Sequence, residues 1–374
     1  MSDQPADEPR ASGPTAYEAA GVSISAGDKA VELMKVWVDK ARRREVIGGI
    51  GGFVGLFDAS VIKSYKHPLL ASSADGVGTK VAIAQAMDKH DTIGFDLVGM
   101  LVDDLVVCGA EPLFMTDYIA TGRVVPERIA AIVQGIAAAC VHAGCALLGG
   151  ETAEHPGLLE PDEYDVAGST TGLVEASDVL GPGLVLPGDV LIAMASSGLH
   201  SNGYSLVRHV LLETAAWQLD RAVDELGRSL GEELLEPTRI YAKACLDLAR
   251  DTGTHALCHV TGGGLAANLE RVLPDEVTAI VERGTWTPQP VFDLVRQVGS
   301  VAQPDLERTL NCGVGMASLT AADDADRAIA LLRGHGIDAW VCGEVRSSTG
   351  ASGALQDAAG GSVTMVGQHP GWSR

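Results

Sequence analysis

The chain has 374 residues, enough for two domains with cores of their own. Hydrophobic residues make up 46%, aromatics only 4%, and there are 45 glycines, which excludes a disordered chain and points to an α/β protein rich in tight turns. A formal net charge of −22 excludes a general nucleic-acid or anionic-membrane partner, so an anionic ligand has to find local lysines, backbone N–H groups or metal ions.

Residues 1–16 are polar and read as a disordered tail with no signal-peptide core. A helix follows, with Asp28 as its expected N-cap and Val31, Met34, Trp37, Val38 and Ala41 near one face. Arg42-Arg43-Arg44 closes it, either as cations at a helix C-terminus or as phosphate binders. Gly48–Gly55 carries five glycines in eight residues but misses the dinucleotide fingerprint, because Val54 stands where the third glycine is required. A lid over a ligand and a plain crossover both fit it.

Pro68–Ala71 is a short predicted strand and Val81–Met87 a predicted helix. Between them Asp75-Gly76-Val77-Gly78-Thr79-Lys80 sets a carboxylate, two glycines, a hydroxyl and an ammonium within six residues. Glycines let backbone N–H groups approach an anion, and Lys80 can neutralise a phosphate that Asp75 would repel unless a divalent cation lies between. A Mg²⁺–nucleotide site is the economical reading, although the order of Thr79 and Lys80 is not that of a Walker A loop.

Gly94–Val107 is an almost wholly apolar helix carrying Asp103 and Asp104, acids that are costly to bury unless paired or metal-bound. A strand over 111–118, a helix from Pro126 to His142 and a short strand Ala146–Leu148 lead to Gly149-Gly150-Glu151-Thr152-Ala153-Glu154-His155, which is either a ligand loop or a solvated one. Residues 164–175 form the last predicted strand of the first domain. The Gly/Pro clusters at 181–183 and 187–188 mark the boundary.

The second domain repeats the device of apolar strand, small-polar loop and apolar helix. Its instances are Ser196-Ser197-Gly198-Leu199-His200-Ser201-Asn202-Gly203 and Thr261-Gly262-Gly263-Gly264. The first is not a nucleophile elbow, since Gly198 and Ser201 are one residue too far apart. Asn311-Cys312-Gly313-Val314-Gly315-Met316 is a further Gly-rich strand entrance, and 347–361 is Gly/Ser/Ala-rich with a candidate edge strand at 363–366. Seven cysteines form no CxxC pair and no zinc spacing, as expected of reduced core thiols in a cytoplasmic protein.

Asp75–Lys80, His90-Asp91-Thr92-Ile93-Gly94, Gly149–Glu154, Ser196–Ser205, Thr261–Gly264 and Asn311–Met316 stand in order and at the spacing of one family. From about Tyr17 to Val345 the chain closely resembles the phosphoribosylformylglycinamidine cyclo-ligases, or aminoimidazole ribonucleotide synthetases. Two departures stand out: Ser73-Ala74 where the family usually has Gly-Thr, and Asp103-Asp104 where it usually has Asn-Asp.

The resemblance implies a two-domain PurM-like fold, α/β plus α+β. An N-terminal domain over 17–178 would carry a mixed sheet forming a barrel-like homodimer core. A C-terminal α+β domain over 187–345 would precede a flexible tail over 346–374. It also implies ATP- and Mg²⁺-dependent ring closure of formylglycinamidine ribonucleotide, a C–N bond-forming ligase reaction through an iminophosphate. By residue, the metal would fall to Asp75, Asp104, Asp103 and Glu151. The nucleotide would fall to Gly76, Gly78, Thr79, Lys80, Gly51 and Gly52, with Lys35 covering it, and substrate to Ser201, Asn202, Thr261, Gly262, Gly263 and Gly264. Asp75 and Lys80 would act in catalysis, with His200 either a proton shuttle or a structural histidine. A thiamine-monophosphate kinase of the same superfamily and a non-catalytic nucleotide-binding regulator are the competing readings.

Overall fold

The computed structural model describes residues 21–49, 52, 54–348 and 361–372. The expected tail over 1–16 and the expected nucleotide residue Gly51 lie outside them.

Helix α1 (Ile24–Lys40) starts a turn earlier than expected, because Ser23 Oγ accepts the N–H of Ala26 and Asp28 falls inside the helix. Strands β1 (Val46–Ile47) and β2 (Leu56–Phe57) pair across the Gly-rich segment. Then come β3 (Pro68–Gly76), α2 (Val81–Ala86), α3 (Ile93–Val106), β4 (Glu111–Thr121), α4 (Pro126–Ala143), β5 (Ala146–Glu154) and β6 (Tyr164–Glu175). The sheet order is β3-β6-β4-β5, antiparallel except for the β4/β5 pair, which α4 connects as a crossover. It is a mixed sheet, as expected. Two strands run further than their apolar stretches: β3 continues through Ser72–Gly76 and β5 through Gly149–Glu154, so neither polar run is a free loop.

Alternation decides what each face meets. Met115, Ile119 and Val166 are buried toward α3 and α4, whereas Leu70 is 66% and Tyr118 41% exposed on the other face. Helix α3 is apolar all round because it is covered on both sides, by this sheet and by the second domain.

The second domain comprises β7 (Val190–Ala195), α5 (Tyr204–Arg208) running into a π-helical turn, β8 (Ala222–Val223), β9 (Arg228–Ser229), α6 (Leu230–Leu234), α7 (Ala242–Asp251), β10 (Thr254–His259), α8 (Gly264–Glu270), β11 (Val277–Glu282), α9 (Pro290–Gly299), α10 (Gln303–Thr309), β12 (Val314–Thr320), α11 (Ala325–Gly334), β13 (Ala339–Ser347) and β14 (Ser362–Val366). Its six-stranded sheet has the order β10-β12-β7-β13-β11-β14. The flexible tail expected over 346–374 needs correction for its described part. There β14 pairs in parallel with β11, and His369 and Trp372 are buried, because main-chain pairing and aromatic burial both hold the segment down.

Candidate active site

Helix α3 organises the domain interface. Asp96, Asp103 and Asp104 recur at two-turn spacing and each meets the second domain. Asp96 Oδ1 accepts from Thr238 N (3.0 Å) and Oγ1 (2.6 Å), Asp103 Oδ1 from Tyr241 N (2.9 Å), and Asp104 Oδ1 lies 2.8 Å from His259 Nδ1.

Lys80 does not point at a ligand. Its side chain is fully buried, and Nζ donates to Asp96 Oδ1 at 2.7 Å, His200 O at 2.9 Å and Glu236 O at 2.6 Å. Burial draws the ammonium below and the Asp96 carboxyl above their ordinary values. Three acceptors for three N–H donors nevertheless hold the pair ionic. The expected phosphate contact and catalytic role of Lys80 are therefore corrected: this ammonium fastens the two domains together.

The rest of that loop is more open. Asp75 Oδ1 accepts the Gly76 N–H at 2.7 Å, Gly78 is left-handed (φ 72°) with open space where a Cβ would stand, and Thr79 Oγ1 lies 3.2 Å from Ser205 Oγ. Ser201 Oγ donates to Val77 O at 2.6 Å. Its neighbour Asn202 donates from Nδ2 to Met100 Sδ on α3 at 3.4 Å, and a Cβ on Gly262 would lie 3.8 Å from its Oδ1. Ser201 thus bonds to the Asp75–Lys80 loop, and Asn202 lies between α3 and the Thr261–Gly264 loop.

The triple-glycine loop is built for close approach. Asn268 Nδ2 on α8 donates to the carbonyls of Thr261, Gly262 and Gly264, which turns those carbonyls toward the protein. Gly264 is left-handed (φ 71°), and a Cβ there would stand 1.7 Å from Glu307 O. Asn311 holds the adjoining loop by donating to Gly198 O and accepting from Gly313 N. Gly315 leaves room for His200 and Tyr241, since a Cβ would meet Tyr241 Oη at 2.2 Å and His200 Cε1 at 2.4 Å.

His200 is a structural histidine here. It is 2% exposed, its Nε2 accepts the Ser197 N–H at 3.1 Å, and burial, with His259, Lys80 and Arg239 nearby, holds it well below its ordinary range. With Nε2 accepting, the neutral ring carries its proton on Nδ1, which is buried and has no hydrogen-bond partner among the described residues, so the structure shows no relay from His200 to a second group.

The four acids expected around one metal ion are not gathered. Asp75, Gly168, Asp117 and Gly150 form one row across β3, β6, β4 and β5. Glu151, next to Gly150, therefore sits at the far edge of the sheet from Asp75, three strand spacings or about 14 Å away. Asp103 is fully buried, with Oδ2 unpartnered among the described residues, and burial pushes its carboxyl up to about 7. Asp75 Oδ1 takes the Gly76 N–H and Asp104 Oδ1 pairs with His259, which leaves each acid its second oxygen, and no convergent set of three acid, His or Cys ligands is present among the described residues. Two carboxylates suit Mg²⁺ well, since that ion takes one or two protein acids and completes its shell with phosphate oxygens and water.

Asp117 is the residue that pattern reading passed over. It shares the row with Asp75 across Gly168, and a Cβ on Gly150 would stand 2.0 Å from its Oδ1. Burial pushes its carboxyl up to about 7. With Glu151, Gly52 and the apolar faces of Met34 and Leu148 it lines a cavity of about 590 Å³ beneath the Gly-rich segment. Gly150 was the available signal, because it makes room for the acid on the neighbouring strand, whereas Gly168 makes room for Leu101 and Met115.

Residues 57–174 match the family model described as AIR synthase related protein, N-terminal domain, and residues 187–355 match its C-terminal domain. The phosphoribosylformylglycinamidine cyclo-ligase of Geobacillus kaustophilus is 48% identical over 90% of this chain and 97% of its own length. The protein of the same name from Anaeromyxobacter sp. is 50% identical over 89% and 96%. Among solved structures, thiamine-monophosphate kinase from Stenotrophomonas maltophilia superposes with a TM-score of 0.63 over 90% of this chain and 95% of that one. Its identity of 20% makes that a likeness of fold alone.

Proposed function

The chain belongs to the phosphoribosylformylglycinamidine cyclo-ligase family and is an ATP-dependent ligase that closes the aminoimidazole ring in purine biosynthesis; from that premise we propose how its residues divide the work. One observation carries the proposal: Ser201 bonds to the Asp75–Lys80 loop while Asn202 lies beside the Thr261–Gly264 loop, so a nucleotide phosphate at one and a substrate at the other would be neighbours.

The γ-phosphoryl group of ATP passes to the formyl oxygen of formylglycinamidine ribonucleotide, giving ADP and an iminophosphate. The ribose-bearing amidine nitrogen then attacks the formyl carbon, and inorganic phosphate leaves with the oxygen. An amide oxygen leaves poorly until it is phosphorylated, and the closure is intramolecular, so holding the substrate folded supplies much of the rate. No protein nucleophile is needed; phosphoryl transfer asks for positioning and charge stabilisation.

Gly78 and Thr79 present backbone N–H groups and a hydroxyl to the nucleotide, Gly76 lets the chain approach it closely, and Gly52 lies above the adjoining cavity. Asn202 and Thr261–Gly264 hold the substrate. Asp75 and Asp104 are the acids that would hold Mg²⁺, which when bound neutralises phosphoryl charge. The exposed face of the β3-β6-β4-β5 sheet supports a homodimer, because a sheet face bearing Leu70 and Tyr118 is normally covered. Seven free cysteines, six of them buried, support a cytoplasmic setting. Among the described residues no helix is long and apolar enough to cross a membrane.

The test is one tube containing ATP, Mg²⁺ and formylglycinamidine ribonucleotide, in which ADP and aminoimidazole ribonucleotide are both read. They are expected to appear one to one, and Asp75→Asn is expected to lower turnover on the order of 100-fold. ADP without ring product, or an Asp75→Asn variant as fast as the parent, would reject the assignment.

A further inference from the structure

The segment Gly361–Trp372 lies beyond the 187–355 span of the family match, yet it is built into the wall of the second domain. Arg283 donates from Nη1 to Met365 O at 2.8 Å and from Nε and Nη2 to the two oxygens of Glu307, both at 2.7 Å. Gln303 Nε2 donates to Glu307 Oε1 at 2.7 Å; His369 Nε2 lies 3.3 Å from the same oxygen as a charge-to-ring contact outside hydrogen-bond geometry, and neither ring nitrogen has a hydrogen-bond partner among the described residues. Burial opposes the charge on Glu307, but His369, Arg283 and Gln303 outweigh it and hold the carboxyl down at about 2. His369 itself is buried edge-on between two indoles, 4.6 Å from the Trp286 ring centroid and 4.7 Å from that of Trp372.

Both groups that His369 touches lead directly to the proposed substrate loops. Glu307 O is the atom against which Gly264 is packed so closely that no Cβ fits. Trp286 Nε1 donates to Cys312 O at 2.9 Å, in the loop that Asn311 ties to Gly198. The same residues border a cavity of about 380 Å³ that reaches Gly263 and Asn311. Glu307 and Trp286 are therefore the two points at which the surroundings of His369 meet those loops.

We propose that the C-terminal segment is a clasp in which His369 is a positioning residue, holding Glu307 and Trp286 so that the Gly262–Gly264 and Asn311–Gly313 loops keep the geometry the substrate needs. The substrate half of this statement rests on the function proposed above; the loop half does not.

Full-length protein is compared with His369→Ala, His369→Gln and a truncation after residue 360. Amide hydrogen exchange is followed by peptide, together with KM and kcat for formylglycinamidine ribonucleotide. In His369→Ala, exchange is expected to rise about tenfold in peptides covering 261–265 and 311–313 while the N-terminal domain is unchanged. KM is expected to rise about tenfold with kcat within twofold, as for residues that orient a site through another group. His369→Gln, which keeps an N–H group facing Glu307 but loses the ring between the indoles, is expected to restore part of both. Unchanged exchange in those peptides, or a rise spread evenly over the chain, overturns the clasp even if the truncated form does not fold. If the parent chain forms no product while exchange rises locally, the function is at fault and the clasp stands.

Discussion

Asp103 is fully buried with one oxygen bonded to the Tyr241 N–H and the other unpartnered among the described residues, and its carboxyl is pushed up to about 7 by burial. The unfolded value is near 4, so the native state holds an extra proton between the two. Stability therefore falls as pH rises through about 4 to 7 and levels off above. Asp103→Asn keeps an acceptor for Tyr241 and cannot ionise. Its melting temperature relative to the parent is expected to be higher at pH 8 than at pH 5, by a few degrees or on the order of 1 kcal/mol. Equal differences at both pH values would remove the argument. Two adjacent acids on an apolar helix were legible in the sequence as a special position. Which of them faces a ligand was not, because helical phase and domain docking decide it together. The same holds for Lys80, whose acceptors at 96, 200 and 236 are remote in sequence from the loop that suggested a phosphate contact.

At the scale of elements, the three-glycine turn before α8 separates two kinds of glycine. Gly264→Ala forces a left-handed alanine into Glu307 O and is expected to destabilise the protein by about 2 kcal/mol or more. Gly262→Ala, with nothing nearer than 3.8 Å and ordinary backbone angles, is expected to unfold within a degree or two of the parent. Thermal unfolding of the pair decides it, and indistinguishable curves would contradict the close approach. Strands and helices were largely readable from apolar periodicity. Their ends were not, because β3 and β5 go on pairing with β6 and β4 after their side chains have turned polar. A polar stretch looks like a loop in one dimension, and only the neighbouring strand shows that it is a ladder.

At the scale of the whole molecule, the open face of the first sheet makes the assembly testable. Leu70, two-thirds exposed on that face, is expected to lie in a contact between two copies. The parent should sediment as a dimer and Leu70→Glu as a monomer; a monomeric parent would sink the idea. The two-domain division was legible from Gly/Pro punctuation, but the way the domains grip each other was not. That grip has a consequence for selectivity. Many two-domain enzymes swing shut on what they bind. Here a buried ammonium seated among oxygens from both domains, with Ser201 bonded to Val77 beside it, ties the domains at that point, and any swing has to break those bonds. A substrate one carbon too long is then expected to be bound about 10- to 200-fold less well, since the tie between the domains resists making room for it.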